Sequence, residues 1–112
     1  MLIYKILKTP EWQALRRDGK SDGAPIDLAD GFVHLSTAEQ LSETLSLHFP
    51  GEEGLMLVAI DSERLGDALR WEPSRGNALF PHLYNVLNLS DVSWAQPLDM
   101  KDGVHILPPG IA

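Results

Sequence analysis

Apolar and polar positions along the chain predict several short strands. Residues 2–7 form a β-rich run in which Lys5 shares a face with two apolar neighbours. Residues 55–60 contain no polar residue, which predicts a strand buried on both faces at the centre of a sheet. Further strands are expected in the segments 68–72, 79–89, 91–98 and 105–107.

Two helices are predicted in the N-terminal half. The first begins at Thr9, whose hydroxyl can cap the helix ahead of Pro10, and Gly19 closes it. Residues 20–30 contain Ser, Asp, Gly and Pro breakers, so they predict a loop. This loop either folds over the mouth of a pocket or simply connects two elements.

The second helix is predicted to follow Ser36. The Ser36 hydroxyl and the Glu39 carboxylate have the spacing of a capping box, and apolar residues recur at helical spacing up to residue 49. Two helices in the N-terminal half and short strands throughout predict an α+β fold with mixed or antiparallel sheets. The length of 112 residues fits a single domain over residues 1–112.

The composition excludes several classes of function. The chain has no cysteine, which rules out disulfides, thiolate metal sites and cysteine nucleophiles. Its formal net charge of -7 and its lack of a Lys/Arg cluster argue against nucleic acid or a membrane surface as a partner. No apolar run approaches the ~20 residues of a membrane span, and no signal peptide pattern precedes the first strand, so we expect a cytoplasmic protein.

Residues 31–40 and 80–84 carry the candidate chemistry. His34 ends an apolar strand just before a predicted helix N-terminus, where free N–H groups can hold an anion. His82 lies in an aromatic-rich stretch that can form an apolar wall with polar tips. We expect the fold to bring the two stretches together around one pocket for a small anionic molecule that carries a ring. The ligand-binding candidates are His34, Ser36, His82, Tyr84 and Arg75.

Structural explanations exist for the same residue types. A histidine in an apolar strand often donates to a backbone carbonyl in the core, and the capping box accounts for Ser36. Glu72 follows Trp71 in a predicted strand, as either a buried acid with a perturbed pKa or an outward residue paired with an arginine. Arg75 lies in a loop, where it either clamps an anion or is solvated. The four histidines lack the spacing of a metal site, so no metal is expected.

The order of the motifs resembles a known bacterial family. Residues 30–37 read DGFVHLST, residues 69–72 read LRWE and residues 80–84 read FPHLY, after a first strand that contains LIYKI. Over nearly the whole chain this order resembles the family catalogued as domain of unknown function 952. The resemblance implies a fold similar to that of ADP-ribosyltransferases, with a cleft between two small sheets. Proteins with that fold bind NAD or a nucleotide fragment of it, which are therefore the candidate cofactors.

The resemblance also suggests roles for single residues. Glu72 is the candidate for the late glutamate of the fold, which would orient a ribose hydroxyl or stabilise positive charge at the anomeric carbon. His34 or His82 would bind a phosphate or transfer a proton. Lys5 stands at or near the first-strand position where many family members carry histidine.

Two functional hypotheses follow. The first is a ligand-binding or ADP-ribosyltransferase-like catalytic domain, in which Glu72 and His34 are the catalytic candidates. The second is a non-catalytic module that binds a partner or forms a homodimer, in which the motif histidines are structural. The sequence leaves open whether the protein is a monomer or a homodimer.

Overall fold

A computed structural model describes residues 1–111 of the chain, apart from the side chain of Arg75. The strands are β1 (Leu2–Lys8), β2 (Lys20–Ser21), β3 (Val33–His34), β4 (Leu55–Asp61), β5 (Leu69–Pro73), β6 (Leu79–Leu83), β7 (Leu87–Asn88), β8 (Val92–Pro97), β9 (Asp99–Lys101) and β10 (Val104–Ile106). The α-helices are α1 (Thr9–Asp18), α2 (Pro25–Asp30) and α3 (Leu41–His48), and short 3-10 helices connect several elements.

The first sheet holds three antiparallel strands in the order β1-β4-β8. β4 lies in the middle, as its uninterrupted apolar sequence predicts, and residues 57–60 are buried. Lys5 lies on β1 opposite Val58 and is only 5% exposed. Because side chains alternate across a strand, Lys5 shares its face with Ile3 and Leu7, so a charged group lies within an apolar row.

The second sheet holds three antiparallel strands in the order β3-β6-β5. Val33, Leu83 and Leu69 form one cross-strand row that packs into the same apolar core as Ile3. The next row, which contains His34, lies on the opposite face because successive side chains alternate. We call this opposite face, away from the core, the outer face of the second sheet.

The other predicted strands are present with shifts of a few residues. All strand pairings within residues 1–111 are antiparallel, so the predicted α+β class with antiparallel sheets is confirmed. Asp102 and Gly103 have φ angles of 54° and 80° and join β9 to β10 in the tight turn that the sequence predicts.

The two main helices that the sequence predicts are present as α1 and α3, but the prediction of a loop over residues 20–30 was wrong, because that segment contains β2 and the short helix α2. Pro25 begins α2, and Gly31 ends it with a φ of 84° while its N–H donates to the Asp27 carbonyl. The helix has only six residues, which is too short to show a helical period. None of the helices within residues 1–111 is long and apolar enough to cross a membrane.

The predicted capping box at Ser36 was also wrong by one residue. The Ser36 N–H and carbonyl pair with the backbone of Tyr4 on β1, so Ser36 is still extended. The 3-10 helix Ala38–Gln40 begins after Thr37, whose N–H donates to Gln40 Oε1 at 3.0 Å. A tertiary backbone contact therefore moves the start of the helix along the chain.

The cap predicted for the first helix shifts in the same way. Thr9 is the first residue of α1, and its hydroxyl donates to the Gly54 carbonyl at 2.7 Å instead of capping the helix. The backbone N–H of Lys8, which has no partner within the helix, donates to Glu11 Oε1 at 2.8 Å.

Candidate functional site

Three polar side chains form a row across the outer face of the second sheet. His34, His82 and Arg70 are direct cross-strand neighbours on β3, β6 and β5. The two histidine rings meet edge to face, with centroids 5.5 Å apart. The predicted convergence of residues 31–40 and 80–84 is therefore present, as two paired strands of one sheet.

The ring of Phe32 packs against both histidines. Its centroid is 4.2 Å from that of His82 with 25° between the planes, and 4.5 Å from that of His34. The Tyr84 ring is 5.2 Å from Phe32. The four rings thus form one aromatic cluster. The sequence prediction left out Phe32, although its position two residues before His34 places it on the same strand face.

Asp27 of α2 anchors the His34 ring from below the surface. Its side chain has no exposed area, and its Oδ1 lies 2.6 Å from His34 Nδ1 and 2.9 Å from the His34 backbone nitrogen. Its Oδ2 accepts from the Ala24 N–H at 2.7 Å and pairs with Lys5 Nζ at 2.7 Å. Four donors therefore converge on one buried carboxylate.

This environment keeps Asp27 ionised at neutral pH. Burial raises the pKa of Asp27, but the hydrogen bonds from His34 and the charge of Lys5 outweigh it and lower the pKa from 3.8 to about 2. Since an ionised carboxylate can only accept, His34 Nδ1 carries a proton and donates it to Asp27. The other ring nitrogen, Nε2, is left for a further contact.

Lys5 belongs to the same cluster. Besides its ion pair with Asp27, its Nζ donates to the His34 backbone carbonyl at 3.1 Å. Lys5 on β1 therefore contacts both Asp27 and the backbone of His34. Because the Lys5 side chain is buried and makes both of these contacts, it fixes Asp27 and the His34 backbone from inside the protein.

Asp30, the last residue of α2, lies at the other side of the His34 ring. Its Oδ2 is 3.0 Å from His34 Nε2, and its side chain is about half exposed. His34 is thus held between two carboxylates, a buried one at Nδ1 and a solvent-facing one at Nε2. An anionic oxygen already occupies the position that a ligand of His34 would take.

The carboxylate of Glu72 contacts His82. Glu72 Oε1 lies 2.9 Å from His82 Nδ1 and accepts from the Tyr84 hydroxyl at 2.6 Å. These hydrogen bonds, from Tyr84 and then His82, lower the pKa of Glu72. Donation to Glu72 raises the pKa of the Tyr84 hydroxyl. The Arg70 guanidinium lies over the Tyr84 ring, 4.6 Å from its centroid.

The predicted site residues do not all meet. His34, His82, Glu72 and Tyr84 lie together on the outer face of the second sheet. Ser36 is buried and its hydroxyl lies 3.2 Å from the Thr44 hydroxyl, outside this group of contacts. The side chain of Arg75 lies outside the described part of the chain, so its predicted role stays a prediction.

Two depressions on the described surface lie away from the aromatic cluster, one between α3 and the β9–β10 turn and one beside the end of β8, and none of the predicted site residues lines either of them. Phe32 fills the space next to His82. Within residues 1–111, no group of three or more His, Asp or Glu side chains is arranged to hold a metal ion.

Sequence reasoning missed Asp27, Asp30 and Arg70 as site residues. Asp27 was placed in a loop, although Lys5 in an apolar strand was a signal that a buried acid had to lie nearby. Arg70 could have been predicted as a site residue from the strand alternation, because it shares a face of β5 with Glu72.

Comparison with known proteins identifies relatives but no activity. Residues 6–95 match the family model described as "Protein of unknown function (DUF952)". No curated protein matches the chain.

Among solved structures, the crystal structure of protein CC0527 from Caulobacter crescentus is 48% identical and covers 95% of this chain and 94% of its own, with a TM-score of 0.91. The solution NMR structure of the same protein is 50% identical and covers 92% and 90%, with a TM-score of 0.83. Both are structural genomics targets.

Proposed function

Since the chain belongs to the DUF952 family, whose function is unknown, we propose that the outer face of its second sheet binds a small anionic, nucleotide-like molecule related to NAD. The observation that carries the proposal is the row His34, His82 and Arg70 beside the half-exposed Tyr84 ring. Imidazolium and guanidinium groups bind phosphate oxygens, and aromatic faces stack on bases.

The anionic group of the ligand binds at His34 Nε2. Asp30 now places a carboxylate oxygen 3.0 Å from this nitrogen, so the geometry already suits an anionic acceptor. Asp30 is on the surface end of α2 and can turn into solvent when a phosphate or carboxylate of the ligand takes its place.

The ring of the ligand binds among the aromatic side chains. The His82 side chain is only 6% exposed, and its described hydrogen bond to Glu72 uses Nδ1, so Nε2 is the ring nitrogen that a ligand would reach. Buried polar atoms nearly always have a partner, so a ligand group that reaches this nitrogen would satisfy it. The Phe32 ring covers His82, so a ligand ring stacks on Phe32 or displaces it.

If the site is catalytic, we propose an arrangement like that of ADP-ribosyltransferases. Glu72 Oε1 is taken by His82 and Tyr84, so Glu72 would orient a ribose hydroxyl through its second oxygen. His34 would bind a phosphate or transfer a proton through Nε2. Lys5 is buried behind Asp27, which leaves His34 to supply the ligand contact on this side of the site.

An NMR titration tests the binding proposal. NAD, ADP-ribose and related nucleotides are added to ¹⁵N-labelled protein, and we expect amide shifts to concentrate in residues 31–40 and 80–84. Inorganic phosphate added alone separates the phosphate contact from ring stacking, because it should shift only the residues near His34. The absence of shifts in both stretches at millimolar ligand would rule out the nucleotide proposal.

A non-catalytic module is the second candidate, and the burial of His82 favours it. The His82 ring is hydrogen-bonded to Glu72 and stacked on Phe32, as expected of a structural histidine. In this case the exposed side chains of the β5 edge, such as Trp71, would contact a partner or a second copy. The same titration then shows no nucleotide-dependent shifts.

A further inference from the structure

The helix α2 is built around a charged residue. Among its six residues, Asp27 is the one that is buried, whereas Ile26 and Leu28 are 58% and 63% exposed. A surface helix ordinarily buries its apolar residues and exposes its charged ones. Burial of apolar area therefore does not explain where α2 lies, whereas the contacts of Asp27 do.

The residues just before α2 also leave space for the Asp27 carboxylate. Gly23 has a φ of 106°, and a Cβ atom at this position would lie 2.5 Å from both Cβ and Oδ2 of Asp27. Ala24 follows and donates its N–H to Oδ2. A side chain at position 23 would displace the carboxylate from the His34 ring.

We infer that Asp27 and Lys5 are positioning residues for His34, which hold the ring by Nδ1 so that Nε2 is the nitrogen presented to the ligand. Asp27 binds both the ring and the backbone N–H of His34, and Lys5 binds Asp27 and the His34 carbonyl. The two residues thus fix the backbone and the ring of one histidine together. The ligand contact rests on the proposed function, whereas the ring orientation does not.

The chemistry follows from which nitrogen carries the proton. An ionised Asp27 accepts the Nδ1 proton, so the neutral ring has a bare Nε2 that can take a proton, and the protonated ring has an Nε2–H that can donate to an anion. Lys5 neutralises the buried carboxylate. Without Asp27, no carboxylate would accept a proton from Nδ1, and Asp30 beside Nε2 would favour the proton on that nitrogen instead.

A matched pair of double variants tests the inference. Lys5→Met/Asp27→Asn removes both charges but keeps an acceptor for Nδ1–H, whereas Lys5→Met/Asp27→Leu has nearly the same shape without the acceptor. Long-range ¹H–¹⁵N spectra of the His34 ring are recorded at a pH where the ring is neutral. We expect an Nδ1–H ring in the wild type and in the Asn variant, and a large fraction of Nε2–H ring in the Leu variant.

The same spectra decide against the inference if the Leu variant keeps its proton on Nδ1. Should that variant fail to fold, the wild type alone decides, because a neutral ring with its proton on Nε2 overturns the inference. Added ADP-ribose gives a second readout, since its shifts near His34 should survive in the Asn variant and disappear in the Leu variant. Wild-type spectra without such shifts would refute the proposed function and leave the positioning role supported by the ring spectra.

Discussion

Replacing Asp27 with alanine is expected to lower the free energy of unfolding by roughly 3–5 kcal/mol. The change leaves the Lys5 ammonium buried without its partner, and it removes the acceptor of the His34 and Ala24 N–H groups. A buried charge without a partner costs more than the pair contributes, because neither water nor an opposite charge compensates it. Urea unfolding followed by circular dichroism measures the loss.

Asp30→Ala is the matched control for this prediction. Asp30 lies on the same helix and contacts the same histidine, but it is about half exposed, so its loss should cost no more than about 1 kcal/mol. The double variant Lys5→Met/Asp27→Ala should recover part of the loss, since no unpaired charge is left inside the protein. Equal losses for Asp27→Ala and Asp30→Ala would contradict the burial argument.

Acid is expected to destabilise the protein through the same carboxylate. The pKa of Asp27 is about 2 in the folded protein and 3.8 without its partners, so the folded state favours the ionised form. Its contribution of about 2 kcal/mol is therefore complete above pH 4 and is lost as the pH falls toward 2. Glu72 adds to the same trend, because its pKa is also lowered.

Unfolding free energies measured between pH 5 and pH 2 test this dependence. The Lys5→Met/Asp27→Asn variant lacks the Asp27 carboxylate, so its stability should fall less steeply over this range. The comparison of slopes is independent of any difference in stability at neutral pH. Parallel pH profiles for the variant and the wild type would show that Asp27 is not the group responsible.

Most strands could be predicted from the sequence, because apolar runs and polar-apolar alternation are local features, but the two-residue strand β2 lies in the segment predicted to be a loop. The apolar run of β4 places it at the centre of its sheet, and the alternation of β5 places Arg70 and Glu72 on one face. The two histidine motifs were expected to meet, and the pairing of β3 with β6 brings them together.

The remaining parts of the site depend on contacts between distant residues, which local patterns do not contain. Lys5 and Asp27 are 22 positions apart, and neither residue alone indicates its partner. The helix that carries Asp27 is too short for a period to be visible. The capping box was misplaced because the Ser36 backbone pairs with β1, a contact between distant parts of the chain.

The central claim is that His34 presents Nε2 to an anionic, nucleotide-like ligand, in competition with Asp30. The most direct measurement is the dissociation constant of ADP-ribose, determined by calorimetry for the wild type and for two variants. One variant removes the imidazole, and the other removes the carboxylate that competes with the ligand. His34→Gln removes the imidazole and should weaken binding by roughly 10–100-fold, as loss of a charged hydrogen bond does. Asp30→Asn removes the competing charge and should tighten binding by about two- to fivefold.

Asp99→Asn, which removes one negative charge on β9 in a different sheet, is the control and should leave the dissociation constant unchanged. The predicted result is therefore a change in opposite directions for His34→Gln and Asp30→Asn. No measurable binding of ADP-ribose to the wild type, or the same dissociation constant for all four proteins, would contradict the claim.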